Sequence, residues 1–382
     1  MKEYSWISFK FDLRRLPWWL WVNLGECASK CDHVKRVPLP PKLQQDLHKV
    51  YLAKGAHATT AIEGNTLSAE EVKDIVENRA NIPMSKKYLE QEVRNILDAC
   101  KDIANRISND QSGNITKDFI CNLNKLVLND VPCEDGAVGG VVRRSEVVVG
   151  NIYRGPNAAD VPELLDEFCK WINSSDFESE QSPVVFSIIK AIVAHLYIAW
   201  IHPFGDGNGR TARLLEFAIL LNSGIPSSTA HLLSNHYNAT RDAPEGYYKQ
   251  LDKASKTGEV VGFFSYAIQG FLDGLKEHLN VIIDRVIYVT WKDFLYESFK
   301  TKGLTAPLRR QRDVLLELSK HPEGLLKSEV EDSTAKFYKQ KTTKTLTRDL
   351  NKLERMGFLV QQEGKYKARI EQILMFRPFS VV

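Results

Sequence analysis

One short segment constrains this chain more than any other, because it places a histidine, a carboxylate, glycines and two arginines between two helical patterns. The segment runs from His202 to Arg213 and reads HPFGDGNGRTAR. Glycine lets main-chain N–H groups turn toward one anion, and the helix predicted from Asn208 adds the positive end of its dipole. Arginine binds phosphate oxygens through a planar fork of donors, and Asp206 suits a divalent cation that bridges phosphates. The segment therefore predicts a nucleotide-phosphate site, with His202 as its general base near neutral pH.

Two other phosphate-binding patterns fit this chain less well. The sequence contains no GxxxxGK[ST] pattern, which excludes a P-loop. The stretch Gly205-Asp206-Gly207 lacks the third glycine of a dinucleotide fingerprint, and an apolar helical pattern precedes it where that fingerprint has a strand. The alternative, which the number of matching residue types disfavours, is a glycine-rich turn that only caps a core helix.

The composition is that of an ordinary globular protein with room for two or three domains. The chain has 382 residues, of which 43% are hydrophobic and 26% are charged. A formal net charge of +3 does not mark the whole chain as a nucleic-acid binder. Six cysteines are too few for a disulfide scaffold in a chain of this length. Cys27, Cys31 and His33 have no second ligand cluster that would complete a zinc site.

The apolar run from Pro183 to Ile201 is nearly long enough to span a bilayer, but its composition favours a buried core helix. Lys190 and His195 interrupt the run, and the glycine-rich segment follows it directly. We interpret His195 as a hydrogen-bonded core histidine rather than a catalytic one. The N-terminus begins with charged and aromatic residues and shows no secretory signal. We therefore expect a cytoplasmic protein without membrane contact.

Hydrophobic periodicity predicts a mainly α protein. Residues 1–40 are interpreted as an irregular N-terminal arm, because they are rich in aromatic residues and proline. Residues 131–157 are interpreted as a short hairpin, because glycines surround β-branched runs. Residues 301–307 are interpreted as a linker. Helices are predicted over residues 43–62, 68–79, 88–107, 116–128, 160–173, 183–201, 208–222, 245–255 and 259–300.

The segment from His202 to Arg213 matches the Fic family signature HxFx(D/E)GNGRxxR at every specified position. The resemblance covers roughly residues 40–260 and is specific, because it fixes many residues of one loop. It implies a Fic-type helical bundle with a small β-hairpin flap. It also implies the activity of most characterised members, which transfer AMP from ATP to a Ser, Thr or Tyr hydroxyl of a protein and release pyrophosphate.

The resemblance assigns roles to individual residues of the loop. His202 is similar to the base that removes the hydroxyl proton, Asp206 to the residue that binds Mg²⁺ between the α- and β-phosphates, and Phe204 to the buried anchor of the loop. The other matched positions imply contacts with ATP: Gly205 in the loop, an anion hole at Asn208 with the N–H groups of Gly207 and Gly209, and the β- and γ-phosphates at Arg210 and Arg213.

A second motif implies that the site carries its own inhibitor. The stretch from Thr59 to Gly64 resembles the inhibitory motif (S/T)xxxE(G/N) of many Fic proteins, on a helix that would span about residues 43–63. In relatives with this motif, the glutamate pairs with the second arginine of the loop, which here implies a pair between Glu63 and Arg213. In some relatives the same glutamate supports removal of AMP, so the direction of the reaction stays open. A merely solvated Glu63 at a helix end is the alternative.

Two further elements resemble parts of the family site. Residues 140–156, with Arg143 to Arg154 at their centre, resemble the flap that aligns a target segment by strand addition; an ordinary exposed hairpin is the alternative. Tyr247 and Tyr248 fall where relatives line the nucleoside pocket. Tyr248 is our candidate for stacking on adenine, and core packing is the alternative for either tyrosine.

The C-terminal part, residues 305–382, changes character and resembles a winged helix-turn-helix domain. Helices are predicted at 309–319, 327–332 and 342–356, followed by strands at 358–360 and 366–370. Residues 305–371 hold 15 Lys and Arg against 10 Asp and Glu, so basic charge is concentrated here. The pattern is compatible with DNA backbone contact and equally with a module that docks to proteins.

Three interpretations of the whole chain therefore stay open. The first, which we prefer, is a Mg²⁺-dependent protein adenylyltransferase of three parts: an arm at 1–40, a Fic domain at 41–300 and a winged-helix domain at 305–382. Its partners would be a hydroxyl-bearing target protein and the enzyme itself, and the resemblance also allows a homodimer. The second is a DNA-binding regulator whose Fic domain only senses nucleotide. The third keeps the site but transfers phosphate or phosphocholine, which the complete loop disfavours.

Overall fold

Helices dominate the computed structural model, which describes residues 4–110, 113–133, 136–149, 153–303, 305–339 and 341–374. Contacts divide the chain into two units, Met1–Leu279 and Asn280–Val382. The division falls inside one continuous helix, α12 (Val261–Lys300), and not at the linker predicted near residues 301–307. Because this helix of 40 residues continues through the division, no change in composition marks the boundary between the two units.

The helices predicted for the first unit are present to within a few residues, and three further helices were not predicted, at Trp18–Arg36, Ser227–Ala230 and Leu232–Ala239. Ser68 forms a capping box with Glu71, and Thr116 caps the helix that follows it. The unit contains, in chain order, α1 (Trp18–Arg36), α2 (Pro41–Ile62), α3 (Ala69–Val76), α4 (Lys87–Ser108), α5 (Lys117–Val127), α6 (Val161–Ile172), α7 (Pro183–Ile201), α8 (Asn208–Asn222), α9 (Ser227–Ala230), α10 (Leu232–Ala239) and α11 (Tyr247–Thr257).

Helix α1 corrects the prediction of an irregular arm over residues 1–40. Its buried face repeats every three or four residues and holds Leu20, Leu24, Cys27, Cys31 and Val34. The exposed tryptophans at its start interrupt this pattern, which is why the helix was missed. Cys27 and Cys31 lie in the core, and burial raises the pKa of both thiols. The pKa of Cys31 is raised to about 12.

Helix α7 forms the centre of the first unit. It is apolar on all sides and begins with Pro183 in its first turn, where the missing N–H costs nothing. Of the described residues, only this helix is long and apolar enough to cross a membrane by length and composition, but 72% of its most apolar window is buried inside the protein. His195 on this helix is fully buried and bonds the Tyr247 hydroxyl at 2.9 Å. It is therefore the hydrogen-bonded core histidine that the sequence predicts.

The predicted hairpin is present as two short antiparallel strands, β1 (Val148–Val149) and β2 (Tyr153–Arg154). Val148 pairs with Arg154, and Val149 with Tyr153. The turn between the strands, residues 150–152, lies outside the described residues. Both strands of the hairpin carry exposed side chains, and the role of the hairpin in receiving a target segment stays a prediction.

The second unit has a small sheet among its helices. Its elements are α13 (Ala306–Leu318), β3 (Leu325–Leu326), α14 (Lys327–Thr334), α15 (Thr343–Arg355), β4 (Leu359–Gln362) and β5 (Lys365–Ala368). The strands form an antiparallel sheet in the order β3-β5-β4. The helices and the β4–β5 hairpin agree with the predicted order, whereas β3 was not predicted. That this unit acts as a winged helix stays a prediction.

Candidate active site

A tight loop joins α7 to α8 and brings the signature residues together. His202 ends α7 with φ 48° and ψ 59°, a left-handed conformation that is uncommon outside glycine. Gly207 precedes α8 with φ 75°, which glycine adopts without strain. Phe204 between them is 1% exposed, so it anchors the loop in the core as predicted. The loop therefore connects the C-terminal end of α7 to the N-terminal end of α8, and both helices are buried.

The side chain of Asn208 holds this loop closed. Its Oδ1 accepts from the Phe204 N–H at 2.9 Å, and its Nδ2 donates to the Phe204 carbonyl, also at 2.9 Å. Asn208 is 3% exposed. Both ends of the amide are thus engaged by the main chain of the loop, which is a different task from the predicted contact with an anion. The anion hole at this residue stays a prediction.

His202 is arranged as a neutral base. Its Nδ1 lies 3.3 Å from the Ala199 carbonyl, which can only accept, so Nδ1 carries the proton and Nε2 keeps a free lone pair. Burial is the main reason that the pKa of His202 is lowered to about 4; the nearby charge of Arg143 acts in the same direction, and Ala199, Glu63 and Asp206 oppose it. The imidazole is therefore unprotonated at neutral pH and can accept a proton.

The first arginine of the loop faces two carboxylates. Arg210 is 6% exposed; its Nη2 lies 2.9 Å from Asp206 Oδ1, and its Nη1 lies 3.6 Å from Glu92 Oε1. Asp206 and Arg210 thus sit side by side, as a site that handles a cation and a phosphate together requires. One carboxylate fits Mg²⁺, which usually binds one or two protein carboxylates and takes its other ligands from substrate phosphates and water.

The second arginine of the loop is held by the predicted inhibitory residue. Arg213 is 1% exposed, and its Nη2 donates to Glu63 Oε1 at 2.5 Å and to the Thr59 carbonyl at 3.0 Å. Burial alone would raise the pKa of Glu63, but the charge of Arg213 and their hydrogen bond lower it overall. The pKa of Arg213 is raised by the same partner against its own burial. Both groups are charged at neutral pH and form one ion pair.

Glu63 also lies against the first turn of α8. A Cβ atom added at Gly209 would lie 2.3 Å from Glu63 Oε1 and 3.1 Å from Arg213 Nη1, so only glycine leaves room for the carboxylate there. The N-terminal turn of a helix, with a guanidinium beside it, is a place where anions bind. The carboxylate of Glu63 therefore occupies a position that suits a phosphate.

Two side chains fix the end of α2 that carries Glu63. Arg241 Nη1 donates to the Ala61 carbonyl at 2.6 Å, and the Tyr248 hydroxyl donates to the Ile62 carbonyl at 3.0 Å. These carbonyls belong to the last turn of the helix, where carbonyls lack their usual intrahelical partners; the Ala61 carbonyl also accepts from the Gly64 N–H at 3.1 Å. Tyr248 is 47% exposed. Its ring is thus free to contact a ligand, and its stacking on adenine stays a prediction.

We expect Arg241→Ala to loosen the end of α2 and weaken the hold of Glu63 on Arg213. One hydrogen bond from a charged donor is worth about 1.5 kcal/mol or more, and Tyr248 still binds the same turn. The activity that the family resemblance implies, transfer from labelled ATP, should therefore rise about two- to fivefold. Arg79→Ala is the control, because Arg79 is an exposed arginine that pairs with Asp74 elsewhere on the surface. A loss of activity in Arg241→Ala alone would contradict this role.

Asn124 on α5 is a site residue that the sequence did not reveal. It is fully buried, and its Nδ2 donates to the Asp206 carbonyl at 2.9 Å and to Thr211 Oγ1 at 3.2 Å. Its Oδ1 accepts from the Gly140 N–H at 2.9 Å. This one amide therefore joins the loop, α8 and the start of the flap. Asn124 and its partners are up to 87 residues apart in the sequence, so no local sequence pattern predicts these contacts.

Comparisons with known proteins agree with this geometry. Residues 114–220 match the model of the Fic/DOC family. The protein adenylyltransferase Fic of Nematostella vectensis is 31% identical over 247 residues, which are 64% of this chain and 52% of that protein. The protein of the same name from Aedes aegypti is 32% identical over 190 residues, 49% of this chain and 36% of the relative. The chain thus spans about half or less of the length of these relatives.

A solved structure of similar fold covers nearly the whole chain. A Fic family protein from Desulfovibrio desulfuricans aligns with 94% of this chain and 98% of its own length, with a TM-score of 0.56 and 18% sequence identity. At this identity the likeness concerns the fold alone.

Proposed function

Residues 114–220 of this chain form a Fic domain, and on that basis we propose that the protein transfers AMP from ATP to hydroxyl groups of proteins. One observation supports this most strongly: a neutral histidine, a carboxylate and two arginines converge on one loop at the start of a helix. The relatives that match the chain are named protein adenylyltransferases. Ser, Thr and Tyr side chains of a target protein, or of the enzyme itself, would provide the hydroxyl.

The proposed step is an in-line displacement at the α-phosphorus of ATP. Nε2 of His202 accepts the proton of the incoming hydroxyl, whose oxygen forms a bond to the α-phosphorus while the bond to the β-phosphate oxygen breaks. Pyrophosphate leaves with the electron pair of that bond. Such a transfer depends mainly on position and charge neutralisation. Asp206 would hold Mg²⁺, which supplies charge neutralisation between the phosphates.

From the same geometry we propose that this protein is inhibited as long as Glu63 binds Arg213. Arg213 and the first turn of α8 would bind the terminal phosphates of ATP. The carboxylate of Glu63 already binds Arg213 and lies against that turn. A buried guanidinium engaged by one carboxylate cannot bind a phosphate in the same geometry, so ATP would bind with its α-phosphorus misplaced. Productive transfer then requires that Glu63 leave Arg213.

Mass spectrometry of the intact protein tests the proposed chemistry. After incubation with ATP and Mg²⁺, the Glu63→Gly protein is expected to gain the mass of AMP less water at one or more of its own hydroxyls. The Glu63→Gly, His202→Ala protein should gain none. A gain of one phosphate instead would contradict AMP transfer and favour a Fic site with altered chemistry.

A second function is favoured by the surface of α15. Four cations, Lys344, Arg348, Lys352 and Arg355, follow each other at helical spacing on its exposed face. None forms an ion pair with another described residue of the chain. The opposite face buries Leu346, Leu350 and Leu353. We propose that this face contacts the phosphate backbone of DNA.

Binding to a labelled DNA duplex should therefore weaken steeply with salt. Lys344→Ala, Arg348→Ala and Lys352→Ala should each lower the slope of log K against log salt by about one. Lys320→Ala is the control, because Lys320 follows α13, outside α15, and pairs with Glu317. Equal salt slopes for all four variants would contradict the assignment. DNA binding together with no AMP transfer, even in Glu63→Gly, would indicate a regulator that only senses nucleotide.

A further inference from the structure

Arg143, near the start of the flap, is an unusual buried cation. It is 5% exposed and forms no ion pair within the described residues. Its donors point instead at three main-chain carbonyls. Nε donates to His202 at 2.7 Å, Nη1 to Ser145 at 2.8 Å and Nη2 to Pro156 at 2.7 Å. Burying a guanidinium without a counter-charge costs free energy. The three hydrogen bonds offset part of this cost, and the segments that they join indicate what Arg143 does.

The three carbonyls belong to the two arms of the flap and to the catalytic loop. Ser145 precedes β1, Pro156 follows β2, and His202, whose imidazole is the proposed base, ends α7. Gly155 leaves space for this arrangement, since a Cβ there would lie 3.2 Å from Arg143 Nη2 and 3.8 Å from His202 Cβ. One planar guanidinium thus ties both ends of the flap to the residue that performs the chemistry.

The main chain at Arg143 is bound to the same loop. Its N–H donates to the Pro203 carbonyl at 2.9 Å, and Val142 bridges to Phe204. Arg143 therefore binds the carbonyls of both peptides that follow His202, one through its side chain and one through its main-chain N–H. His202 needs this support, because its left-handed conformation is costly for a residue with a side chain.

The other flap strand has its own anchor at the same end of α7. The Tyr153 hydroxyl donates to the Trp200 carbonyl, and Trp6 Nε1 donates to that hydroxyl at 3.1 Å. Tyr153 and Arg143 thus bind carbonyls two residues apart. Both described strands of the flap are thus tied to the end of α7 that carries His202.

We propose that Arg143 is a positioning residue that fixes His202 Nε2 relative to the flap, so that a hydroxyl presented by a target segment on the flap meets the base. This rests on the proposed function, in which His202 is the base and the flap receives the target. Arg143 does not touch ATP or the hydroxyl. Its loss should therefore affect the rate of transfer and leave ATP binding intact.

The test compares Arg143, Arg143→Lys and Arg143→Gln in the Glu63→Gly protein. We expect the kcat for transfer of the α-label to fall about 10-fold for lysine, which keeps the charge but not the fork, and about 100-fold for glutamine, since small misplacement of a reacting group costs about that much. The Kd for ATP should change less than twofold. Equal losses in kcat and in ATP affinity, or no loss in kcat, would overturn the proposal.

A second readout does not depend on activity. Besides Arg143, the charged groups that act on His202 are Glu63 from α2 and Asp206 from the loop. Removal of the Arg143 cation should make the imidazolium easier to form, so NMR titration of His202 in Arg143→Gln should give a higher pKa than in the parent. Arg144→Gln, which removes an exposed charge one residue away, should shift it less.

The two readouts separate the two hypotheses. If the Glu63→Gly protein with Arg143 intact transfers no α-label, the proposed function is wrong. The NMR titration still decides on Arg143: the same His202 pKa in Arg143→Gln and Arg144→Gln would overturn the positioning role.

Discussion

Replacement of Glu63 by glycine is expected to raise AMP transfer by the purified protein at least about tenfold, which corresponds to about 1.4 kcal/mol. The variant removes the carboxylate that lies 2.5 Å from Arg213 Nη2 and occupies the first turn of α8. Arg213 and the helix N-terminus then become available to the terminal phosphates of ATP. Incorporation of the α-label into protein, measured at saturating ATP and Mg²⁺, is the readout.

Glu63→Gln is the matched control for this prediction. It keeps the length of the side chain and an oxygen that can accept from Arg213, but it loses the negative charge. If the charge of Glu63 inhibits, glutamine should release part of the activity and glycine more. If the bulk of the side chain inhibits, glutamine should behave as the parent. Parent-like rates in both variants would contradict the inhibitory role.

Replacement of His202 by alanine is expected to lower transfer about 100- to 10,000-fold, because a positioned base contributes about that much. ATP binding should survive, since the groups proposed to hold the phosphates remain. Isothermal titration with ATP and the rate of α-label transfer, both measured in the Glu63→Gly background, separate the two effects. Equal rates with and without His202 would contradict its role as the base.

The pH dependence of the same rate gives an independent check. His202 is active when neutral, and its pKa lies at about 4. The rate should therefore stay constant as pH falls from neutral and should decline only as pH approaches about 4, where the imidazole takes up a proton. A decline centred near pH 6.5, the ordinary pKa of histidine, would show that His202 is not buried as described.

The sequence predicted those parts of the site that are contiguous in the chain. The loop from His202 to Arg213 is one local motif, and its flanking helices follow from an apolar run and from helical spacing. The pair between Glu63 and Arg213 spans 150 residues. It was predicted only through the resemblance to a family, because no periodicity within this chain relates the two positions.

The residues that escaped prediction act through the main chain. Asn124 and Arg143 bind carbonyls and N–H groups of distant segments, and a carbonyl carries no sequence signal. The bonds from the Asn208 amide to the main chain of Phe204 were likewise not predicted, and the contact of Asn208 with an anion stays a prediction. Helix α1 was missed for a different reason, since aromatic residues and Pro17 at its start hid a regular apolar spacing.

One measurement tests the central claim most directly: incubation of cell lysate and Mg²⁺ with ATP labelled separately at the α- and the γ-phosphate. Four proteins should be compared, namely the parent, Glu63→Gly, His202→Ala and the double variant. The account predicts α-label on proteins with Glu63→Gly, little with the parent, none with either His202→Ala protein, and no γ-label in any of them that depends on His202. His202-dependent γ-label, or α-label that is equal in all four, would contradict it.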